Sequence, residues 1–277
     1  MQYSASTLQL PAANAGQLVF NEQVGGRTII VREDASWRWL MLAANGERLG
    51  RDTPLQSVMR KDSPALLVLP YMQCLCLPLC WSILPSQPRV LHLGLGGGAI
   101  DRFLLHNRLV SSLVTVESEA ELFRVCRNHF ALDACTDASH RLETATALDF
   151  LNGCTERFDW IVCDIHDGSG LPDDMLDSQF YARLDECLDN SGVVCFNIAD
   201  RRDQRLATLD KYLRERFAHC WYAEVGGFEN VLVFVSKLRF SPLEERINIL
   251  QQLFTENVSA LLSSMIYAPS VSATRNN

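Results

Sequence analysis

The sequence predicts an α/β fold: a doubly wound, mostly parallel sheet of seven strands, preceded by a small N-terminal antiparallel β unit. Three observations carry this expectation. From residue 86 onward, short apolar runs alternate with amphipathic segments, the pattern of parallel strands joined by crossover helices. The last two apolar runs, 219–225 and 230–236, are separated by VGGFEN, a hairpin signal, so one strand must run antiparallel to its neighbours. Residues 17–60 instead show partial alternation with close turn signals and no helical period.

The elements follow in order. GRTIIVRE (26–33) and SWRWLMLA (36–43) are strands, with Glu33-Asp34-Ala35 as a tight connection and ANGE (44–47) as the next turn. The boundary is set at 62, giving a β-hairpin unit over 1–62 and an α/β domain over 63–277. RVLHLGL (89–95), SLVTVE (112–117), HRLETAT (140–146), FDWIVCDI (158–165) and GVVCFNI (192–198) are the parallel strands. Helices are expected at 98–107, 118–130, around ALDFLNG, at 177–190 and at 201–217, with one terminal helix over 242–265. Its stripe Leu243, Ile247, Leu250 and Phe254 reads as core packing or an oligomer contact.

Composition narrows the function class. Apolar residues make up 48% and charged residues 21%, which suits a folded globular chain rather than a disordered one. The net charge of −8 and the lack of any basic block speak against a nucleic-acid partner and are compatible with a small cationic substrate. The first 17 residues lack the basic and apolar regions of a secretory signal, and the ten cysteines are scattered through apolar runs. Reduced thiols and a cytoplasmic location are therefore expected. CLCLPLC (74–80) lacks the paired spacing and histidines of a zinc site, so no metal is assigned. The charge-free stretch 65–84 has membrane-spanning length, yet Pro70 and Pro78 interrupt it; a buried helix and its approach fit better than a membrane span.

The chemistry-bearing motif is LHLGLGGGAIDRF. Gly94, Gly96, Gly97 and Gly98 follow the first parallel strand and open a helix, where glycine lets the backbone turn sharply and approach a ligand. Glu117, at the end of the next strand and 23 residues beyond Gly94, can accept the hydroxyls of a ribose. The loop also reads as GxGxxA, so a nicotinamide dinucleotide is a rival ligand, disfavoured by the final hairpin and by the β unit ahead of the loop. FDWIVCDIHDG places Asp164 and Asp167 beyond the fourth parallel strand, in the crevice where the winding reverses. His166 between them is a candidate base for a weakly basic acceptor.

RVLHLGLGGG, VTVE, FDWIVCDIHDG and FYARLDECLDNSGVV, in that order, resemble the spermidine synthase (polyamine aminopropyltransferase) superfamily, and LQSVMRKDSPALLVLPY resembles its bacterial spermidine synthase-like branch. The resemblance covers residues 40–200. It implies the class I S-adenosylmethionine (SAM)-dependent transferase fold, with decarboxylated SAM or SAM as co-substrate, no metal, an amine acceptor and a homodimer. It further implies that Gly94, Gly96 and Gly98 line the donor's amino-acid or aminopropyl arm and that Glu117 holds the ribose. Asp164 and Asp167 match the D-x-x-D motif, Tyr71 the tyrosine of the Y-x-E segment, and Gln56 a glutamine upstream of it.

The sequence departs from that pattern in its acids. Ala99 and Ile100 stand where the family continues GGGDG, Gln73 where the Y-x-E glutamate falls, and Thr146 where an acid would accept from adenine. A methyltransferase using SAM, or a nucleoside-binding protein without turnover, are the alternatives these losses open.

Overall fold

The structure is a computed structural model that describes residues 9–44, 49–50, 53–134, 138–166, 172–199 and 205–268. Four antiparallel strands, β1 (Gln17–Val24), β2 (Arg27–Glu33), β3 (Trp37–Ala44) and β4 (Ser57–Arg60), form a meander in chain order. Gly25, at φ +57°, makes the β1–β2 turn possible, because a left-handed backbone disfavours a side chain. The β2–β3 turn is an Asx-turn: the Asp34 Oδ1 accepts from the amides of Ser36 (2.8 Å) and Trp37 (2.7 Å). The turn expected at 44–47 falls on residues whose structure is not described beyond Ala44.

The chain then enters α1 (Pro70–Leu75) and a 3₁₀ turn over Leu77–Cys80, all of it buried. Each begins with a proline in its first turn, where the missing N–H has no intrahelical partner to lose. Among the described residues no helix is long and apolar enough to cross a membrane. Burial pushes the Cys74 and Cys80 thiols up to about 12, so both remain protonated.

The second sheet contains β5 (Arg89–Leu93), β6 (Ser112–Glu117), β7 (His140–Thr144), β8 (Phe158–Cys163), β9 (Leu188–Ile198), β10 (His219–Glu224), β11 (Val231–Ser236) and β12 (Ile266–Tyr267). Its order is β12-β10-β11-β9-β8-β5-β6-β7. The pairs β7–β6, β6–β5, β5–β8 and β8–β9 are parallel, and β11 and β10 run antiparallel as the predicted hairpin. The seven predicted strands are present, and two-residue β12 adds an eighth at the β10 edge.

The helices α2 (Ala99–His106), α3 (Ala120–His129), α4 (Ala147–Gly153), α5 (Ser178–Cys187) and α6 (Leu206–Arg216) are the crossovers. Their ends obey local chemistry. The Thr146 hydroxyl caps α4 by accepting from the Asp149 amide, and the Asp177 carboxylate caps α5 by accepting from the Gln179 amide. In α3, Glu121 sits in the first turn and Arg127 in the last, complementing the helix dipole. Because helices cover both faces, β5 is buried on both sides. Leu91 and Leu93 pack into the cluster with Phe180, Leu184 and Leu209, while Val90 packs with Trp39, Leu75 and Phe103.

The terminal helix predicted over 242–265 is two helices, α7 (Glu244–Leu253) and α8 (Val258–Ser263). The break is imposed from a distance. The buried amide of Gln73 accepts from the backbone N–H of Thr255 and Glu256, both at 3.0 Å, and Asn257 caps the restart. No local sequence pattern reveals a partner 182 residues away.

Candidate active site

A cavity of about 450 Å³ opens at the C-terminal ends of β5, β6 and β8, with β2 and β3 of the small sheet closing one side. This is the point where the sheet's winding reverses, since chain order runs outward from β5 in one direction and from β8 in the other. Gln56, Tyr71, Gly94, Gly96, Glu117, Thr146 and Asp164 all line it.

The glycine loop is held by both neighbours. A Cβ on Gly94 (φ +94°) would stand 2.2 Å from the Asp164 carbonyl oxygen, and one on Gly97 would meet Ser57 of β4 at 2.4 Å. Gly96 (φ +53°) has nothing within 4 Å of that position, so its bare backbone faces open cavity. Gly98, predicted to contact the ligand, does not line the cavity. It is the left-handed N-cap of α2, at φ 67°, and its requirement is conformational. The buried Arg102 of α2 fixes the loop from behind by donating to the Gly97 carbonyl and, at 2.9 Å, to that of Pro64.

Glu117 ends β6, and its carboxylate is already oriented. One oxygen accepts from the Leu95 amide and the other from the Glu119 amide, each at 3.0 Å. A ligand hydroxyl meeting it finds a fixed acceptor rather than a mobile one. Beyond it the cavity becomes apolar, lined by Ala145, Ala147, Ile165, Pro172 and Met175. Thr146 lies at that end, but its hydroxyl caps α4 and donates to Asp149 Oδ2 (2.9 Å).

Asp164 directly follows β8. Its Oδ1 accepts from Asn197 Nδ2 at 2.7 Å and contacts His166 Nε2 at 3.1 Å, and Asn230 Nδ2 in turn donates to Asn197 Oδ1 at 2.8 Å. Burial opposes ionisation here, but the hydrogen bond and charge of His166, with the Asn197 amide, outweigh it and hold the carboxyl below its usual range. Tyr71 stands against Phe228, ring centroids 5.6 Å apart, and burial, reinforced by the Asp164 charge, keeps its phenol protonated. Asp167 lies outside the described residues.

Three features escaped sequence reasoning. Asn197 was readable only as the polar end of a strand, and nothing local linked it to Asp164. Arg27 reaches the cavity from β2 and donates to the His166 carbonyl at 3.3 Å, 139 residues away in the chain. Gln73 faces away from the cavity. Its amide nitrogen donates to the Leu67 carbonyl (2.7 Å) and Thr255 Oγ1 (2.6 Å), so it serves the C-terminal segment instead of a substrate.

Comparison with known proteins fits this geometry. The family described as "Spermine/spermidine synthase domain" matches residues 77–217. A polyamine aminopropyltransferase from Shigella boydii serotype 4 (strain Sb227) is 32% identical over 150 residues, 50% of this chain and 49% of that one. The chain spans about half the length of the curated relatives it matches. A probable spermidine synthase from Corynebacterium glutamicum ATCC 13032 superposes with a TM-score of 0.68 at 18% identity, covering 95% of this chain and 94% of that chain. A spermidine synthase in complex with the transition state analogue AdoDATO gives 0.69 at 17% identity, covering 89% and 84%. At such identities these two structures establish a shared fold.

Proposed function

Because the chain belongs to the spermine/spermidine synthase family, we propose that its cavity is an aminopropyl-transfer site for a nucleoside sulfonium donor, decarboxylated SAM, and an amine acceptor. The observation that carries this reading is the convergence of Gly96, Glu117 and Asp164 on one cavity at the sheet's switch point. Glu117 takes the ribose hydroxyls, the apolar end encloses the base, and the open backbone at Gly96 admits the donor's arm.

In the reaction the acceptor's neutral nitrogen attacks the carbon next to sulfur. The new N–C bond forms as the C–S bond breaks, and its electron pair returns to sulfur as a neutral thioether. Positive charge thus moves from sulfur to nitrogen. A carboxylate fixed beside the nitrogen stabilises that movement, and Asp164, which is hydrogen-bonded by Asn197 and His166, is proposed to do so and to accept a proton from the new ammonium. Its depressed pKa makes it a stronger charge stabiliser than base. Tyr71 and Gln56 bound the same region, and Asp167 is proposed to hold the far end of the acceptor. The chain is also proposed to act as a homodimer in the cytoplasm, without a metal.

The test is direct. Incubation with decarboxylated SAM and a panel of amines, putrescine first, is expected to release methylthioadenosine. No release with any amine defeats the transfer reading.

A further inference from the structure

His166 lines the cavity two residues beyond Asp164, and its side chain is 20% exposed. Its Nε2 lies 3.1 Å from Asp164 Oδ1 and 3.2 Å from Asn197 Nδ2. The surrounding bonds decide which atom carries the hydrogen. Asn197 Oδ1 accepts from Asn230 Nδ2 at 2.8 Å, so the Asn197 amide turns its N–H groups toward Asp164, and its shorter contact, 2.7 Å, is with Asp164 Oδ1. The ionised carboxylate has no hydrogen to give, so Nε2–H donates to Asp164. A neutral ring with its hydrogen on Nε2 keeps its lone pair on Nδ1. Among the described residues Nδ1 has no hydrogen-bond partner.

We propose that His166 is the base that takes the acceptor's proton, through Nδ1, while Asp164 holds Nε2–H and balances the charge of the ring. The inference rests on the reading of this cavity as an aminopropyl-transfer site, and it moves the proton from the carboxylate to the imidazole beside it. An acceptor amine arrives as an ammonium whose lone pair is tied up in an N–H bond. Nδ1 takes that proton, the freed pair forms the N–C bond, and the C–S pair returns to sulfur as a thioether. The imidazolium then yields its proton to water, so one proton is released per transfer. An imidazole is ordinarily a stronger base than a carboxylate by ~2 to 3 pH units. Burial opposes the Asp164 charge, yet His166 and Asn197 hold its carboxyl below the usual range, which weakens it further as a base. The other charged or titratable groups of the lining serve elsewhere. Arg27 of β2 donates to the His166 carbonyl at 3.3 Å, and both Glu117 oxygens accept backbone amides. Glu119 lies toward the β1–β2 turn, its Oε1 3.8 Å from where a Cβ on Gly25 would stand. Burial, with the Asp164 charge, keeps the Tyr71 phenol protonated.

The test is the pH dependence of kcat/KM for methylthioadenosine release from decarboxylated SAM and the best amine of the panel, in wild type and His166→Gln. Glutamine keeps an amide N–H for Asp164 and offers no base. At about pH 7.5 the variant is expected to lose about 10²-fold or more. The loss should shrink to less than about tenfold near pH ~10, where the amine itself is neutral in solution. A merely structural role would cost the same at every pH. His166→Ala, with imidazole added to the solution, covers the case in which His166→Gln fails to fold: added imidazole should restore part of its activity at about pH 7.5 and none of the activity lost by Asp164→Asn. A loss that is independent of pH, or no loss, overturns the assignment of His166 and leaves the transfer reading standing. Wild type that releases no methylthioadenosine with any amine defeats the transfer reading, and this base with it.

Discussion

The carbonyl oxygen of Asp164 occupies the space where a side chain on Gly94 would begin, 2.2 Å from an ideal Cβ. The loop and the proposed catalytic strand end are therefore fitted to each other through backbone alone. Gly94→Ala must push β8's end away or distort a φ of +94°, and a loss of about 2–4 kcal/mol is expected together with loss of ligand binding. Gly96→Ala is the contrast. Its Cβ meets nothing, so the cost should be near 1 kcal/mol from the left-handed backbone, while the methyl projects into the cavity and weakens the nucleoside. Urea denaturation with binding of methylthioadenosine separates the two effects.

In the proposed reaction Asn197 acts through Asp164, to whose Oδ1 it donates. Removing its N–H donor with Asn197→Leu should raise the Asp164 pKa, because a hydrogen bond to the charged form favours that form. The acid limb of kcat/KM is expected to move to higher pH, a change that a merely structural residue would not produce. Asp164→Asn should lower transfer by about 10²-fold or more at every pH. The stability sign is opposite to that of a raised group. Since the folded pKa lies below the ordinary 3.8, Asp164 stabilises the fold above that value and loses the contribution as pH falls through its folded pKa.

Gln73 invites a misleading repair, because a glutamate there would complete the Y-x-E pattern that the sequence resembles. The residue's nitrogen donates to Leu67 and Thr255 while its oxygen accepts from Thr255 and Glu256. Gln73→Glu would leave a buried carboxylate facing the Leu67 carbonyl and remove both donors. A destabilisation of about 2–4 kcal/mol is expected, read by denaturant unfolding, with no gain in putrescine turnover.

Much of the fold was legible in the sequence because its signals are local. Strand–helix alternation, the final hairpin, and Gly94 to Gly98 between a strand and a helix are all encoded within a few residues of where they act. Glu117 and Asp164 were legible for the same reason, each ending its strand. Arg27, Asn197 and the Gln73 staple were not, since each acts on a partner more than 30 residues away and only tertiary packing defines the pair. Gly98 carries a requirement that its motif does not reveal: it is α2's left-handed cap.

Beneath the glycine loop, His92 and Asp101 form a fully buried pair, with His92 Nδ1 and Asp101 Oδ1 2.6 Å apart. Thr115 donates to Asp101 Oδ2 at 2.7 Å, and His140 Nε2 lies 3.4 Å from the same oxygen. Asp101 therefore lies two residues past Ala99 but behind the loop, as an internal counter-ion. Burial disfavours the imidazolium, yet the charge and hydrogen bond of Asp101, aided by Asp164 and Glu117, raise the His92 pKa above its usual value. Burial likewise opposes the Asp101 charge, and His92 with His140 holds that carboxyl below its usual range. A raised histidine contributes stability that is complete below its unfolded pKa of 6.5 and is lost as pH rises through the folded value. A depressed aspartate contributes above 3.8 and loses that as pH falls through its own folded value. The pair should therefore be worth most between these windows, in mildly acidic solution. His92→Leu, which strands the Asp101 charge, is expected to cost about 3–5 kcal/mol there. Denaturant unfolding at several pH values checks this: the gap between wild type and variant should narrow above neutrality, and a gap independent of pH would mean that His92 is neutral in the fold.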